Sequence, residues 1–84
     1  MTSLNISLYG ADWCGDCIRA KALLDARSID YTYFDLIATP EHADAALAIS
    51  GRTNIPVITF PDGSHLVEPS NAQLEAKLTE VGAL

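Results

Sequence analysis

Ile6-Ser7-Leu8-Tyr9-Gly10-Ala11-Asp12-Trp13-Cys14-Gly15-Asp16-Cys17-Ile18-Arg19-Ala20-Lys21-Ala22-Leu23-Leu24 is the stretch on which the fold turns. Leu4, Ile6 and Leu8 alternate with Asn5, Ser7 and Tyr9, the period of a half-buried strand. Gly10-Ala11-Asp12 then reads as the break that ends it. From Cys14 the spacing changes. Cys17, Ala20 and Leu24, with Leu23 beside them, follow a helical period to about Arg27. Both cysteines of the chain therefore stand at a strand–turn–helix junction in C-x-x-C spacing. A thiol at the first turn of a helix faces unpaired backbone N–H groups and the positive end of the helix dipole, which favour the thiolate. A second thiol three residues on lies on the same helical face, close enough to close a small disulfide ring. The pattern is that of a chain built to make and break one disulfide.

Working outward, Ser28-Ile29-Asp30 is a short loop, and Tyr31-Thr32-Tyr33-Phe34-Asp35-Leu36 has the aromatic and β-branched content of a second strand. Thr39-Pro40 has the form of a helix start, a capping hydroxyl followed by Pro in the first turn. Ala43 to Ile49 favours helix, and Gly51 is placed to end it. Pro56-Val57-Ile58-Thr59-Phe60 reads as a third strand. Pro61-Asp62-Gly63 is a turn, and Ser64 to Glu68 returns as a fourth strand to make a hairpin. Ser70 and Gln73 fit a capping box ahead of a last helix with the stripe Leu74, Leu78, Val81. The order is βαβαββα. Its opening βαβ unit implies two parallel strands with a right-handed crossover, and the hairpin adds two antiparallel strands. Helices are needed on both faces of so small a sheet.

The 84 residues make one α/β domain, 1–84, and 49% hydrophobic content is that of a globular chain. A domain of this size buries roughly 60–65% of its unfolded surface, a thin but workable core. The longest apolar runs fall far short of the ~20 residues that span a bilayer. Met1-Thr2-Ser3-Leu4-Asn5 lacks the basic and apolar regions of a signal peptide, so a cytoplasmic protein is expected. There a C-x-x-C reads as catalytic or metal-binding rather than structural. The net charge of −6 disfavours nucleic-acid binding. Of the five basic residues, Arg19, Lys21 and Arg27 fall on the helix that begins at the cysteines, which predicts one locally positive face. A zinc site would need His42 or His65 as further ligands, and their spacing is irregular. Both read as surface residues, and no metal is expected.

The βαβαββα order, the C-x-x-C at the start of the first helix and the Ile55-Pro56 before the third strand resemble the thioredoxin fold in its minimal glutaredoxin form. The resemblance covers nearly the whole chain. Trp13-Cys14-Gly15-Asp16-Cys17 is similar to the core of both thioredoxins and glutaredoxins. Gly51-Arg52-Thr53-Asn54-Ile55-Pro56-Val57, with Phe60, Asp62-Gly63, Leu66 and Pro69-Ser70, resembles mycoredoxins, the glutaredoxin-like proteins of bacteria that use mycothiol as their small thiol.

The resemblance implies a thiol-disulfide oxidoreductase with Cys14 as nucleophile and Cys17 as the thiol that resolves its mixed disulfide. A free Cys titrates near ~8.5, and a helix-start position lowers this. Burial one turn into the helix would keep Cys17 protonated until that step. It also implies that Pro56 follows a cis bond, turning the Ile55 backbone toward the cysteines, where an extended substrate segment can pair with it. The alternative is an ordinary trans Pro opening a strand. Trp13 is either an apolar rim over Cys14 or a core aromatic at the strand end. Tyr9 and Tyr33 are read as strand packing. Gly15-Asp16 replaces the Pro-Tyr or Gly-Tyr common in glutaredoxins, and the Asp16 carboxylate is expected to oppose thiolate formation and weaken the binding of anionic glutathione. The family's Lys three residues before the nucleophile is here Ala11. Its Gly-Gly and acidic pair after the fourth strand is here Glu68-Pro69-Ser70-Asn71. Arg52 remains as a cation for a thiol ligand, and the N–H groups near Ser70 and Asn71 as donors.

The expected partners are disulfide-containing proteins, a low-molecular-weight thiol (mycothiol or glutathione) and a reductase for recycling. No cofactor, nucleic acid or membrane is expected, and the protein is expected to be a monomer. Two other readings stand beside this one. The first is a redoxin recharged by thioredoxin reductase that supplies electrons to another reductase. The Trp-Ser-Gly-Phe-Arg-Pro segment that marks such redoxins does not occur after the fourth strand. The second is a non-catalytic interaction domain that uses the cysteine pair as a zinc clip or redox sensor.

Overall fold

A computed structural model describes residues 5–84, so Leu4, the first apolar position of the expected strand, lies outside the described residues. The elements run β1 (Ser7–Gly10), α1 (Gly15–Ala26), β2 (Thr32–Asp35), α2 (Glu41–Ser50), β3 (Val57–Thr59), β4 (His65–Val67) and α3 (Asn71–Glu80). This is the βαβαββα order read from the sequence. The sheet order is β2-β1-β3-β4. β1 pairs parallel with β2, Leu8 opposite Tyr33, and antiparallel with β3, Leu8 opposite Ile58. β4 closes the antiparallel hairpin on β3, Ile58 opposite Leu66.

Alternation along the strands sends Ile6 and Leu8 to one face, where they join Ile58 and Phe60 in a buried cluster with Ala20 and Leu24 of α1 and Leu74 and Leu78 of α3. Tyr9 faces the other way. Its ring stacks on Phe34 at 4.7 Å, and His42 of α2 meets Phe34 edge-on, also at 4.7 Å. α1 and α3 thus cover one face and α2 the other. His42 is half-buried in that aromatic stack rather than a free surface group, while His65 is exposed.

The local signals explain most of the boundaries. Cys14 is the N-cap of α1, with extended backbone angles. Gly51 ends α2 in the left-handed conformation, φ 73°, and donates its N–H to the Leu47 carbonyl. Ser70 and Gln73 form the full capping box of α3. Asp62 pins the β3–β4 turn to α3. Its carboxylate accepts from the Ser64 hydroxyl and N–H and from Lys77 Nζ, and these donors hold its carboxyl well below the usual carboxylate range.

β2, β3 and β4 are each one residue shorter at both ends than the sequence suggests, and two boundary signals act differently from expectation. Pro40, not Thr39, is the N-cap of α2, and that helix has no side-chain cap. Asp35 accounts for the difference: its carboxylate accepts from the N–H groups of Ile37 and Ala38, and its carbonyl from Thr39. The turn is organised from the end of β2, and Thr39 contributes its carbonyl, which accepts from His42. The second difference is Gly10, which is the last residue of β1 and pairs with Asp35 rather than ending the strand before it. A Cβ at position 10 would lie 2.7 Å from Cys17 Sγ and 3.2 Å from Leu8 Cδ2. The glycine is there to let α1 sit down on the strand.

That contact yields a measurable expectation. Gly10→Ala forces α1 away from β1 and should cost on the order of 1–3 kcal/mol, the usual range for overpacking a core. Urea unfolding of the reduced proteins checks it, and an unchanged midpoint would show that the junction has slack.

Candidate functional site

The C-terminal end of β1, the N-terminus of α1 and the loop before β3 converge on the two cysteines. Both are free thiols. Ala11, Cys14 and Cys17 form a small buried cluster of their own, against which Ile55 packs. The turn is closed by the Cys14 N–H, which donates to the Ala11 carbonyl at 3.2 Å. Cys14 Sγ then occupies the capping position and accepts the Cys17 N–H at 3.3 Å. An amide aimed at sulfur from a helix start is a donor that gains strength when the sulfur carries negative charge.

Cys17 is fully buried, while Cys14 retains 9% of its surface. Burial is the main cause that pushes the Cys17 thiol up to about 12. The hydrogen bond with the Cys14 side chain adds to it, and the Ala11 backbone opposes it. The two thiols, three residues apart, therefore have distinct environments.

The Ile55-Pro56 bond is cis, and the Cys14 thiol faces the Ile55 carbonyl oxygen at 3.9 Å. Pro56 is buried. Its carbonyl accepts the N–H of Glu68 at 2.9 Å, which ties this loop to the segment before α3. Glu68 holds a left-handed backbone, φ 48°. A side chain in this conformation costs roughly 1–2 kcal/mol. Two bonds offset that cost, the Pro56 contact and a 2.8 Å hydrogen bond from the Asn54 side chain to the Glu68 carboxylate.

Other residues singled out from the sequence surround this centre. Trp13 is 72% exposed beside Cys14, which excludes the core-aromatic alternative. Arg52 is exposed and lines a cleft of about 160 Å³ with Leu36, Ala46, Leu47, Thr53 and Ile55. The Ser70 hydroxyl accepts from the Gln73 N–H, and the Ser70 N–H donates to the Gln73 side chain. Both groups are taken up by the cap. Asp16 is not a free charge: Arg19 pairs with it at 3.2 Å.

The positive face expected on α1 does not form, because each of its three basic residues meets an acid. Arg19 pairs with Asp16, Lys21 lies 3.9 Å from Asp12, and Arg27 pairs with Glu75. Lys21 also stands over the Tyr33 ring, whose hydroxyl donates to Asp12. Burial and that Asp12 contact raise the Tyr33 hydroxyl well above its usual range. Arg19 was absent from the residues expected at the site. Its guanidinium also donates to the Asn71 side chain at 2.8 Å and to the Pro69 carbonyl at 3.1 Å. Only the three-residue spacing from Asp16 is a sequence signal for any of this. Among the described residues, no group of three or more His, Cys, Asp or Glu side chains is placed to hold a metal ion.

A mixed sheet with β1 and β3 at its centre, helices on both faces and a thiol pair opening α1 define the thioredoxin fold. The redoxin NrdH of Escherichia coli, described as glutaredoxin-like, shares it, with a TM-score of 0.74 and 22% identity over 86% of this chain and 92% of that one. The family model for glutaredoxin matches residues 6–66, and the chain belongs to the glutaredoxin family. A protein of Mycobacterium tuberculosis assigned as a glutaredoxin is 35% identical over 96% of this chain and 98% of its own. Mycoredoxin 1 of Corynebacterium glutamicum is 28% identical over 88% of this chain and 92% of its own. The protein is thus a thiol-disulfide oxidoreductase. No helix among the described residues is long and apolar enough to cross a membrane.

The unequal thiols can be tested by alkylation. A thiol pushed up to about 12 is almost wholly protonated at pH 7.5 and so unreactive. Brief iodoacetamide treatment of the native reduced protein should place one adduct, on Cys14, with Cys17 labelled only after denaturation. Equal labelling of the two in the native state, read by peptide mass spectrometry, would contradict the difference in burial.

Proposed function

We propose that the protein reduces protein disulfides, or mixed disulfides with a low-molecular-weight thiol, through Cys14 and Cys17, with mycothiol as the small thiol. The observation that carries this reading is the position of Cys14 Sγ, at the N-cap of α1 and 3.3 Å from the Cys17 amide, with Cys17 buried behind it. The Cys14 thiolate attacks one sulfur of the substrate. A mixed disulfide forms, and the other sulfur leaves as a thiolate that takes a proton from water. Cys17 then gives its proton to water, bonds to Cys14 Sγ and expels the second thiolate. Two electrons pass to the substrate, and a Cys14–Cys17 disulfide remains for a small thiol or a reductase to reduce. On the monothiol route a second small thiol cleaves the Cys14 mixed disulfide before Cys17 acts.

The raised Cys17 thiol supports this order of events, since a protonated thiol does not compete for the first disulfide. In this reading the Ile55 backbone beside Pro56 lines the path of an extended substrate, and Trp13 gives it an apolar rim. Arg52 at its cleft and the capped turn at Ser70 bound the pocket for the small thiol. Mycothiol is favoured over glutathione by the similarity to a mycoredoxin and by the departures at Ala11 and Glu68-Pro69. The reaction belongs to the cytoplasm, where such thiols are abundant.

A reductase-coupled assay run side by side with mycothiol, glutathione and thioredoxin reductase tests the proposal. Turnover is expected to be fastest with mycothiol. Cys14→Ser should fall to the background rate. Cys17→Ser should keep its activity on small-thiol mixed disulfides and lose it on protein disulfides. Recycling by thioredoxin reductase alone would make the protein a redoxin of the other kind.

A further inference from the structure

Glu68 holds both neighbours of Ile55 at once. Its N–H donates to the Pro56 carbonyl at 2.9 Å, and its carboxylate accepts the Asn54 side-chain amide at 2.8 Å. Between them, the Ile55 carbonyl oxygen lies 3.9 Å from Cys14 Sγ. The Ile55 side chain packs against Ala11, Cys14 and Cys17. Among the described residues, its N–H and carbonyl make no hydrogen bond to another backbone group. The orientation of that backbone is therefore set by what grips Asn54 and Pro56. Glu68 does so from a left-handed conformation, φ 48°, which a residue with a side chain adopts only at a cost. Strain of this kind persists where the surroundings enforce it, and it gathers at functional sites. Glycine at this position would reach Pro56 without strain but could not reach Asn54.

Ile55 thus presents an N–H and a carbonyl without backbone partners beside the reacting sulfur, which is what an added strand needs. An extended peptide pairs with them only while both are held in one orientation. A disulfide that carries no peptide groups has nothing to pair. We propose that Glu68 and Asn54 are positioning residues: by gripping both neighbours of Ile55, their contact holds its backbone in register with Cys14 and speeds exchange with disulfides carried on extended polypeptide. Small disulfides without a backbone gain nothing from it. The proposal deepens the reading of Cys14 as the attacking thiol and rests on it.

Two disulfides separate this role from general damage to the site. One is the disulfide dimer of a short, uncharged, unstructured peptide with a central cysteine. The other is the disulfide of mercaptoethanol. Each is mixed with the reduced protein, and formation of the Cys14–Cys17 disulfide is followed by acid quench and mass spectrometry. In both reactions the cysteine pair gives up two electrons and two protons, and the disulfide leaves as two thiols. The readout is the ratio of the two second-order rates, peptide over mercaptoethanol, which a disturbance of Cys14 itself would leave unchanged. Asn54→Ala and Glu68→Ala should each lower this ratio about fivefold, the usual effect of one lost hydrogen bond. The double variant should lower it no further, because both changes remove the same bond. Glu68→Gln keeps an acceptor oxygen and should retain most of the ratio. Glu68→Gly also loses the bond but relieves the left-handed backbone, which keeps the test open if Glu68→Ala does not fold by circular dichroism. The wild-type ratio in Asn54→Ala and Glu68→Gly, or losses that multiply in the double variant, would overturn the role of this pair alone. Oxidation of the wild type by neither disulfide would overturn the reading of Cys14, and this proposal with it.

Discussion

The sulfur of Cys17 lies against the bare Cα of Gly10, and the active end of the molecule depends on that contact. A Cβ at position 10 would come within 2.7 Å of the sulfur. Because glycine stands there, the first turn of α1 rests directly on the end of β1. That seating buries Cys17 and leaves Cys14 at the helix cap, where it receives the Cys17 amide. Burial of one thiol and capping by the other are two results of one packing constraint. β1 lies between β2 and β3 in the sheet, so the junction is anchored on both sides.

Around this junction the fold compensates its charges locally. Asp16, which as a free carboxylate would oppose an anionic sulfur, is held by Arg19. Arg19 in turn reaches Pro69 and Asn71, joining α1 to the start of α3. The Glu68–Pro56 and Asn54–Glu68 bonds join that same segment to the loop carrying the cis proline. Three chain segments far apart in sequence are thereby fixed relative to Cys14. Trp13, next to Cys14 in the chain, is exposed beside this framework.

Most of the architecture was legible in the sequence because the signals for it are local. The switch from alternating to helical spacing at Cys14, the glycine that ends α2 and the capping box at Ser70 each act within a few residues, and each is found in place. Legibility fell where a residue's role is set from a distance. Gly10 looks like a strand breaker until Cys17 is seen packed against it. Thr39 looks like a cap until Asp35 is seen to organise that turn. Arg19 looks like a solvated helix residue because its shortest hydrogen bond is to Asn71, 52 residues away. The cysteine pair and Ile55-Pro56 were found by their pattern. The charge compensation around them is tertiary and leaves little trace in the chain.

The central claim is a division of labour, with Cys14 accepting the disulfide and Cys17 held back by burial. Its most direct test compares the two single-cysteine variants for the rate at which each forms a mixed disulfide with the disulfide of mycothiol, followed by intact mass. The account predicts rapid formation of one adduct in Cys17→Ser and none on the same time scale in Cys14→Ser. Comparable rates in the two variants, or faster reaction at Cys17, would contradict it.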